Sequence, residues 1–479
     1  MRRLFAKIFA VSLGLTSLMG CGPQFNGSLP GRDGTGSFPT PSPAQPQVTS
    51  LSPSVAVAGS ASFTLTVNGL NFAPTTTVLW DNNTFLTTTY VSSTVLQAQV
   101  PASLTATPGT ITIVPSPVNT FNYGATFTVT VPPLTGNTSF SVSMLPVQAN
   151  DMVWDQTNQQ LWLSVAKGNA TNANTVTALS PQTGAFGLSA STGSEAGKLA
   201  VSTDGAYIYA GLYGAASVHR YTLPGLQSDI DIPLGSGSFG PYDAIDVKVE
   251  PGNSHSVAVA RGVQGISPRE EGGIVIYDDA LARSQSVPGF PGPGPIDSLL
   301  WNPNGQSLYG LDTETSDTAL YIMSVSSTGA QLLTHNSTSA SLGNALHFDS
   351  TTGLLYSNSG KVLDPVTGTV VGSFPLNIVQ GGFNVNPIMV PDGKLNVAYF
   401  LGQTAYSGHQ GDYVIEAFDL THLTFLGAIP ITGVSRTPST FVRWGSDGLA
   451  FLTGDAYGAG ATGGGVYLVS GGFVTSPAH

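Results

Sequence analysis

Cysteine and charge are nearly absent from this sequence of 479 residues. The single cysteine, Cys21, has no partner, which excludes a disulfide within the chain. Charged side chains make up only 9% of the residues and the net charge is −12, whereas an average soluble protein has roughly a quarter of its residues charged. Because no basic stripe is present to neutralise phosphates, we expect no binding of nucleic acid.

Short motifs that carry chemistry are also missing. The sequence has no G-x-S-x-G turn, no H-E-x-x-H pair, no phosphate-binding Walker loop and no paired histidines at metal spacing. We therefore predict no catalytic residue, no metal site and no cofactor. Since active sites can assemble from distant loops, this absence argues against an enzyme without excluding one.

The first twenty residues have the form of a secretory signal. Arg2, Arg3 and Lys7 provide a positive segment, and residues 8–19 form an apolar run. That run is too short to span a bilayer as a permanent helix. Its end resembles the bacterial lipobox, the Leu-x-Gly/Ala-Cys pattern of lipoproteins, through the four residues Leu18, Met19, Gly20 and Cys21.

The lipobox resemblance implies an anchored protein. Cys21 would accept diacylglycerol and become the first residue of the mature chain, attached to the membrane by acyl chains. An ordinary signal with a chance cysteine is the alternative. Gly22 stands where Asp would favour the inner membrane, so we predict a lipid-anchored protein of the cell envelope, at the outer membrane or cell surface. Residues 21–46, dense in Gly, Pro and Ser, predict a disordered tether.

Residues 47–132 predict a β-sandwich. Phe63, Leu65 and Val67 alternate with polar residues, and similar short runs recur between turn residues. The pairs Ser52-Pro53 and Val100-Pro101, the run LTVNGLNF and Trp80 resemble the IPT/TIG immunoglobulin-like module. We interpret this domain as a spacer; an adhesive module presenting neutral polar loops is the alternative.

Seven similar units fill residues 137–475. Each has an apolar strand, a tight polar turn and a second strand rich in aromatic or branched residues, and a second hairpin follows. The first strands begin near residues 152, 198, 247, 299, 345, 388 and 441. The pattern predicts an all-β chain, in which an immunoglobulin-like β-sandwich is followed by a seven-bladed β-propeller.

Two details of the repeats refine this prediction. The DG turns, together with the hairpin sequence DPVTG from Asp364 to Gly368, resemble those of YVTN-type propellers. The seventh unit ends after its third strand, while an extra strand, residues 139–145, precedes the first unit. We therefore expect that extra strand to complete blade seven and latch the ring.

The scarce charges and several aromatic residues gather in the expanded loops between second and third strands. Because loops carry function more often than scaffold does, we expect any site on this face. The candidate binding residues are Arg261, Arg269, Asp312, Tyr406, His409, Asp412, Asp455 and Tyr457.

A binding or scaffolding role in the envelope, with a protein or polysaccharide partner, is the function this organisation favours. The alternative is an enzyme with a site in the propeller funnel, since some propellers of the YVTN type resemble lactonases or quinoprotein dehydrogenase subunits. An enzyme is expected to show charged groups converging on the central axis. A binding module is expected to show an aromatic or neutral rim around an uncharged channel.

Overall fold

The structure is a computed structural model of the chain. It describes residues 45–58, 60–81, 83–105, 109–117, 124–130, 139–266, 269–289, 295–313, 319–337, 342–378, 387–403, 413–434, 436–454 and 464–477. These residues are almost entirely β-structure, which confirms the all-β prediction. The signal, the lipobox and most of the tether lie outside the described residues.

The first domain is an immunoglobulin-like sandwich of eight strands in the order β1-β3-β6-β5-β4-β7-β8-β2. The two layers are joined by β5, whose first residues pair with β4 and whose later residues pair with β6. A 3-10 helix, Ala102–Thr105, follows β6. The strands are β1 (Gln47–Ser52), β2 (Val55–Val57), β3 (Phe63–Leu70), β4 (Thr77–Trp80), β5 (Thr84–Ser92), β6 (Val95–Val100), β7 (Gly109–Ser116) and β8 (Ala125–Thr130).

The core of the sandwich follows the alternation in the sequence. Leu65 and Val67 on β3 are fully buried, whereas Thr64, which precedes Leu65 on the same strand, is exposed. Trp80 packs against Phe127, with ring centroids 5.2 Å apart. An aromatic pair of this kind adds about 1 kcal/mol to the burial of its surface.

Seven four-stranded sheets follow and form the predicted propeller. Blades one to three contain β10 (Ala149–Asp155), β11 (Gln160–Val165), β12 (Thr175–Leu179), β13 (Phe186–Ser191); β14 (Glu195–Val201), β15 (Tyr207–Tyr213), β16 (Ser217–Thr222), β17 (Gln227–Pro233); and β18 (Asp243–Glu250), β19 (Asn253–Val263), β20 (Glu270–Asp278), β21 (Leu281–Ala282). Blades four to six contain β22 (Ser298–Trp301), β23 (Ser307–Leu311), β24 (Ala319–Ser326), β25 (Gly329–Ser337); β26 (Leu346–Asp349), β27 (Leu354–Ser357), β28 (Lys361–Leu363), β29 (Val370–Ser373); and β30 (Ile388–Asp392), β31 (Val397–Gly402), β32 (Tyr413–Asp419), β33 (Phe425–Ile431).

The seventh blade is shared between the two ends of the propeller. It contains β34 (Pro438–Trp444), β35 (Gly448–Thr453) and β36 (Gly465–Gly471), and its outer strand is β9 (Phe140–Leu145). Six residue pairs join β36 to β9 in antiparallel register, from Val466 with Leu145 to Gly471 with Phe140. The predicted latch is therefore confirmed. A short helix α1 (Gly472–Thr475) follows β36.

The hydrophobic core is divided among the seven blade interfaces. Each of seven clusters contains residues of two adjacent blades, and one of them joins blade seven to blade one through contacts that include Trp444, Leu452 and Met152. Alternate side chains of the inner strands thus serve different interfaces. This arrangement explains why the inner strands are apolar on both faces rather than on one.

The turns follow the sequence in most blades, with two differences. Gly205, Gly305 and Gly368 adopt positive φ, as the DG and DPVTG patterns predict. Gly393 and Gly448 do not; Asn396 and Gly445 adopt positive φ instead. After β30, Asp392 accepts hydrogen bonds from the N–H groups of residues 394 and 395, and the positive φ falls at Asn396, the last residue of the four-residue turn before β31.

The latch predicts a stability difference between two engineered disulfides in a chain carrying Cys21→Ser. Ser141 and Ser470 are direct partners on β9 and β36, with Oγ atoms 2.9 Å apart and 329 residues between them in sequence. Thr177 and Ser189 are partners 12 residues apart within blade one, with Oγ atoms 2.8 Å apart. Chain entropy gives roughly 3 kcal/mol for the short loop and about 3 kcal/mol more for the long one.

We therefore expect the oxidised Ser141→Cys/Ser470→Cys variant to gain more free energy of unfolding than the oxidised Thr177→Cys/Ser189→Cys variant, measured by guanidinium titration. Each variant after reduction serves as its own control. Failure of the Ser141→Cys/Ser470→Cys pair to oxidise, while the Thr177→Cys/Ser189→Cys pair does so, would contradict the pairing of β9 with β36.

Candidate functional site

The first strands of the seven blades surround a central channel with a cavity volume of about 460 Å³. One position recurs around it, immediately before a buried hydrophobic residue near the start of each first strand. Blades one to three place charged residues there, whereas blades four to seven place neutral ones. In blade order these residues are Asp151, Lys198, Asp246, Ser298, Ala345, Ile388 and Thr440.

The two aspartates of this ring tie neighbouring blades together. Asp151 Oδ2 accepts a hydrogen bond of 3.0 Å from the N–H of Leu199 in blade two. Asp246 Oδ2 accepts one of 2.7 Å from the N–H of Leu299 in blade four. In blade five, Asn358 Oδ1 does the same for the N–H of Met389, at 3.1 Å. Three odd-numbered blades therefore each supply a side-chain acceptor to a buried backbone donor of the next blade.

The ring is continued at blade seven and balanced by lysines. Thr440 Oγ1 donates to Asp151 Oδ1 at 3.3 Å, so the last blade is joined to the first by a side-chain donor. Lys198 Nζ lies 4.0 Å from Asp151 Oδ1, and Lys248 Nζ lies 2.7 Å from Asp246 Oδ1. Asp151 and Asp246 thus each have a cationic neighbour, which offsets the cost of burying their charge.

A second charged group lies on the channel wall beside blade four. Arg269 contacts Glu271 at 2.7 Å and Asp297 at 3.3 Å. Asp297 also accepts hydrogen bonds from the N–H and the Oγ1 of Thr313. Burial raises the pKa of Asp297 to about 6, against the opposing effects of Arg269 and Thr313.

The opposite wall is neutral. His347 Nε2 lies 3.1 Å from Asn358 Oδ1, and burial lowers the pKa of His347 to about 4, so its ring is uncharged at neutral pH. Leu346, Met389 and Phe441 complete this side of the cavity. Charged groups therefore converge on the axis, which is the outcome expected for an enzyme and not the uncharged channel expected for a binding module. Hydrogen bonds and ion pairs within the wall, however, engage the three channel carboxylates.

An exposed aromatic residue lies on a hairpin between blades two and three. In this hairpin, residues 235–242, Ser236 pairs with Pro241 and Phe239 stands at the tip, 74% exposed. The Glu270 carboxylate accepts hydrogen bonds from both tip amides, at 2.7 Å from Ser238 N and 2.8 Å from Phe239 N. These backbone hydrogen bonds lower the pKa of Glu270. A side chain at Gly237 would overlap that carboxylate.

Arg261, one of the predicted binding residues, holds the base of the same hairpin. Its guanidinium donates to Leu234 O at 2.9 Å and to Gly272 O at 2.6 Å, and it lies over the Tyr242 ring, 5.1 Å from the centroid. The Phe239 hairpin is thus fixed to blade three at its tip and at its base.

The other predicted residues divide into two groups. Arg269 lines the channel and is mostly buried in its ion pairs, and Asp312 is 2% exposed, so its side chain is not part of an exposed loop surface. The remaining five fall outside the described residues, and their role stays a prediction: Tyr406, His409, Asp412, Asp455 and Tyr457.

Sequence reasoning missed the channel lysines and Phe239. A signal for the lysines was present, because Lys198 and Lys248 stand beside apolar residues in first strands, in a chain with very few charges. No comparable signal marks Phe239, because the local pattern SGSFGP is that of an ordinary turn.

Neither a metal site nor a membrane-crossing helix is found in the described ranges. No group of three or more His, Cys, Asp and Glu side chains there could hold a metal ion. Across the same ranges, no helix has the length and apolar character that crossing a bilayer requires.

Comparison with known families identifies the first domain. Residues 46–129 match the family model of the IPT/TIG domain. The sandwich is an IPT/TIG domain. No curated protein matches the chain.

Three solved structures illustrate the similarity of the fold. Hydrazine Synthase of Kuenenia stuttgartiensis is 14% identical, with a TM-score of 0.42 over 57% of this chain and 77% of that one. The Cps50 (Swd1) β-propeller domain of Myceliophteria thermophila is 12% identical, with a TM-score of 0.47 over 68% and 99%. A chain of the Mitotic Checkpoint Complex is 12% identical, with a TM-score of 0.48 over 70% and 93%. Identity this low says nothing about the activity of this chain.

The hydrogen bond from Leu299 N–H to Asp246 joins blades three and four, and removal of the Asp246 carboxylate is predicted to destabilise the protein. In Asp246→Ala, the buried N–H of Leu299 loses its partner and Lys248 loses its counter-ion. Leaving such a donor unsatisfied costs roughly 1 to 3 kcal/mol. We expect the free energy of unfolding, measured in urea, to fall by about 2 kcal/mol. The matched control is Asp447→Ala in an exposed turn, expected to change it by less than about 0.5 kcal/mol. A similar small change in both variants would contradict the structural role of Asp246.

Proposed function

We propose that the protein is a lipid-anchored binding protein of the cell envelope, in which the propeller recognises a protein partner through the face that carries the Phe239 hairpin. An IPT/TIG domain followed by a propeller is an architecture that suggests a protein-interaction or scaffold role. The observation that carries the finer proposal is the exposure of Phe239 on a hairpin that is otherwise rigidly held.

Energetics favour an exposed aromatic tip as an anchor for a partner. A Phe side chain buries a large apolar area, and the residues that dominate interfaces are commonly aromatic side chains inserted into a pocket. Because Phe239 is 74% exposed in the free protein, nearly all of that burial remains to be gained on binding.

Rigidity adds to this argument. Binding costs free energy for every side chain and loop that must be ordered. Glu270 holds the tip and Arg261 holds the base, so the hairpin is ordered before a partner arrives. A protein surface with an apolar pocket is the partner that this geometry fits best, and the loops carrying Tyr406, His409, Asp412, Asp455 and Tyr457 are proposed to extend the contact.

The experiment is affinity capture from solubilised envelope with the Cys21→Ser chain as bait, followed by measurement of the dissociation constant for the captured protein. Phe239→Ser is expected to weaken that binding at least tenfold. Val366→Ser is the matched control, since Val366 is 80% exposed but lies in the turn between β28 and β29, a type of turn that a propeller places on its opposite face. We expect it to bind normally.

Two results would contradict the proposed partner. Equal binding by both variants would remove Phe239 from the interface. A captured material that survives protease and disappears after glycosidase treatment would make the partner a polysaccharide instead.

The anchor is tested separately. When the natural chain is expressed in a bacterium with a lipoprotein pathway, we expect radiolabelled palmitate to be incorporated and the protein to sediment with the envelope. Cys21→Ser is expected to abolish both, because the thiol that accepts diacylglycerol is gone. Labelling that persists in Cys21→Ser would place the lipid elsewhere, and a wild-type chain without label would refute the anchor.

A further inference from the structure

We propose that the central channel binds a small organic anion with an apolar body, a ligand distinct from the protein partner proposed above. The inference rests on the shape of the cavity, on the unequal distribution of polar and apolar residues around it, and on which charged atoms face its interior.

The cavity has the dimensions and asymmetry of a site for an amphiphilic molecule. Its volume of about 460 Å³ falls within the range typical of small-ligand pockets. Lysines and aspartates of blades one to three occupy one side. On the other side, the ring positions of blades five and six hold the apolar residues Ala345 and Ile388. A molecule with a charged end and an apolar body matches both sides at once.

The exposure of the charged side chains indicates that the ligand is an anion. The side chains of Asp151 and Asp246 are 9% and 5% exposed, and each uses a carboxylate oxygen to accept a backbone N–H from the next blade. The side chains of Lys198 and Lys248 remain 39% and 36% exposed. A molecule entering the channel therefore meets the ammonium groups, with the carboxylates behind them.

Both lysines line the channel with partly exposed side chains. An ammonium group has three hydrogen-bond donors, and Lys248 directs one of them to Asp246 Oδ1 at 2.7 Å. The two lysines belong to adjacent blades and line the same cavity, so both attract an anion that enters it. The neutral ring of His347 and the amide of Asn344 add polar contacts to the far wall without adding charge.

Three dyes of similar size test the proposal on the full chain carrying Cys21→Ser. The anionic probe is 8-anilinonaphthalene-1-sulfonate, the neutral one is N-phenyl-1-naphthylamine, which has the same rings without the sulfonate, and the cationic one is thioflavin T. We expect the anion to bind at least tenfold more tightly than the neutral dye, by fluorescence titration, and the cation to bind most weakly. Added salt is expected to weaken the binding of the anionic dye and to leave the binding of the neutral dye unchanged.

Variants locate the binding. Lys198→Met/Lys248→Met is expected to lower the affinity for the anion at least tenfold and to leave the affinity for the neutral dye unchanged. Lys394→Met, in an exposed turn, is the matched control and keeps wild-type affinity. Circular dichroism checks that each variant folds. If the double variant does not fold, each single variant is expected to weaken anion binding at least threefold.

Some outcomes would overturn the proposal. They are equal affinities for the anionic and neutral dyes, tighter binding of thioflavin T, or anion binding that is unaffected by the lysine variants. Phe239→Ser is expected to bind the anion normally, so that failure of the channel proposal and failure of the proposed partner interaction remain distinguishable.

Discussion

Each blade of the propeller has two hydrophobic faces, and a neighbouring blade must stand on each side before both can be buried. Seven interface clusters satisfy this requirement only because blade seven also packs against blade one. The β36–β9 pairing makes that last interface possible by giving blade seven its fourth strand. Ring closure is therefore the constraint on which the inner strands, the channel and the loops depend.

Closure also explains where the scarce charges lie. A first strand near the axis meets the first strands of its neighbours, and its backbone donors need acceptors that strand pairing does not provide. Asp151, Asp246 and Asn358 supply them across blade boundaries. The cations that accompany two of these acceptors face the channel. The polar side chains that join the blades thereby also place charged groups on the channel wall, independently of the loops.

The architecture could be predicted from the sequence because it depends on period and alternation, which are local properties. The sequence itself shows the strand–turn–strand units, the alternation of Leu65 and Val67, and the extra strand before blade one. The channel was not, because Lys198, Asp246 and Met389 are brought together only by the curvature of the whole ring. The exposure of loop residues could not be predicted either. Asp312 and Phe239 both stand in sequence typical of loops, yet Asp312 is buried and Phe239 protrudes. The turn prediction was wrong after β30, where Asp392 accepts hydrogen bonds from backbone amides and the positive φ falls at Asn396 instead of Gly393.

The latch has a consequence for the order of events during synthesis. Ser141 and Ser470 are partners, but 329 residues separate them, so β9 leaves the ribosome long before its partner β36 exists. Blades one to six can assemble one after another as the chain lengthens, whereas the last interface must wait for the final strand. Pairing at such long range is slow because the entropy of closing the loop is lost before any contact forms. During that interval the apolar sides of blades one and seven lack their cover, and these two surfaces are the ones most open to aggregation.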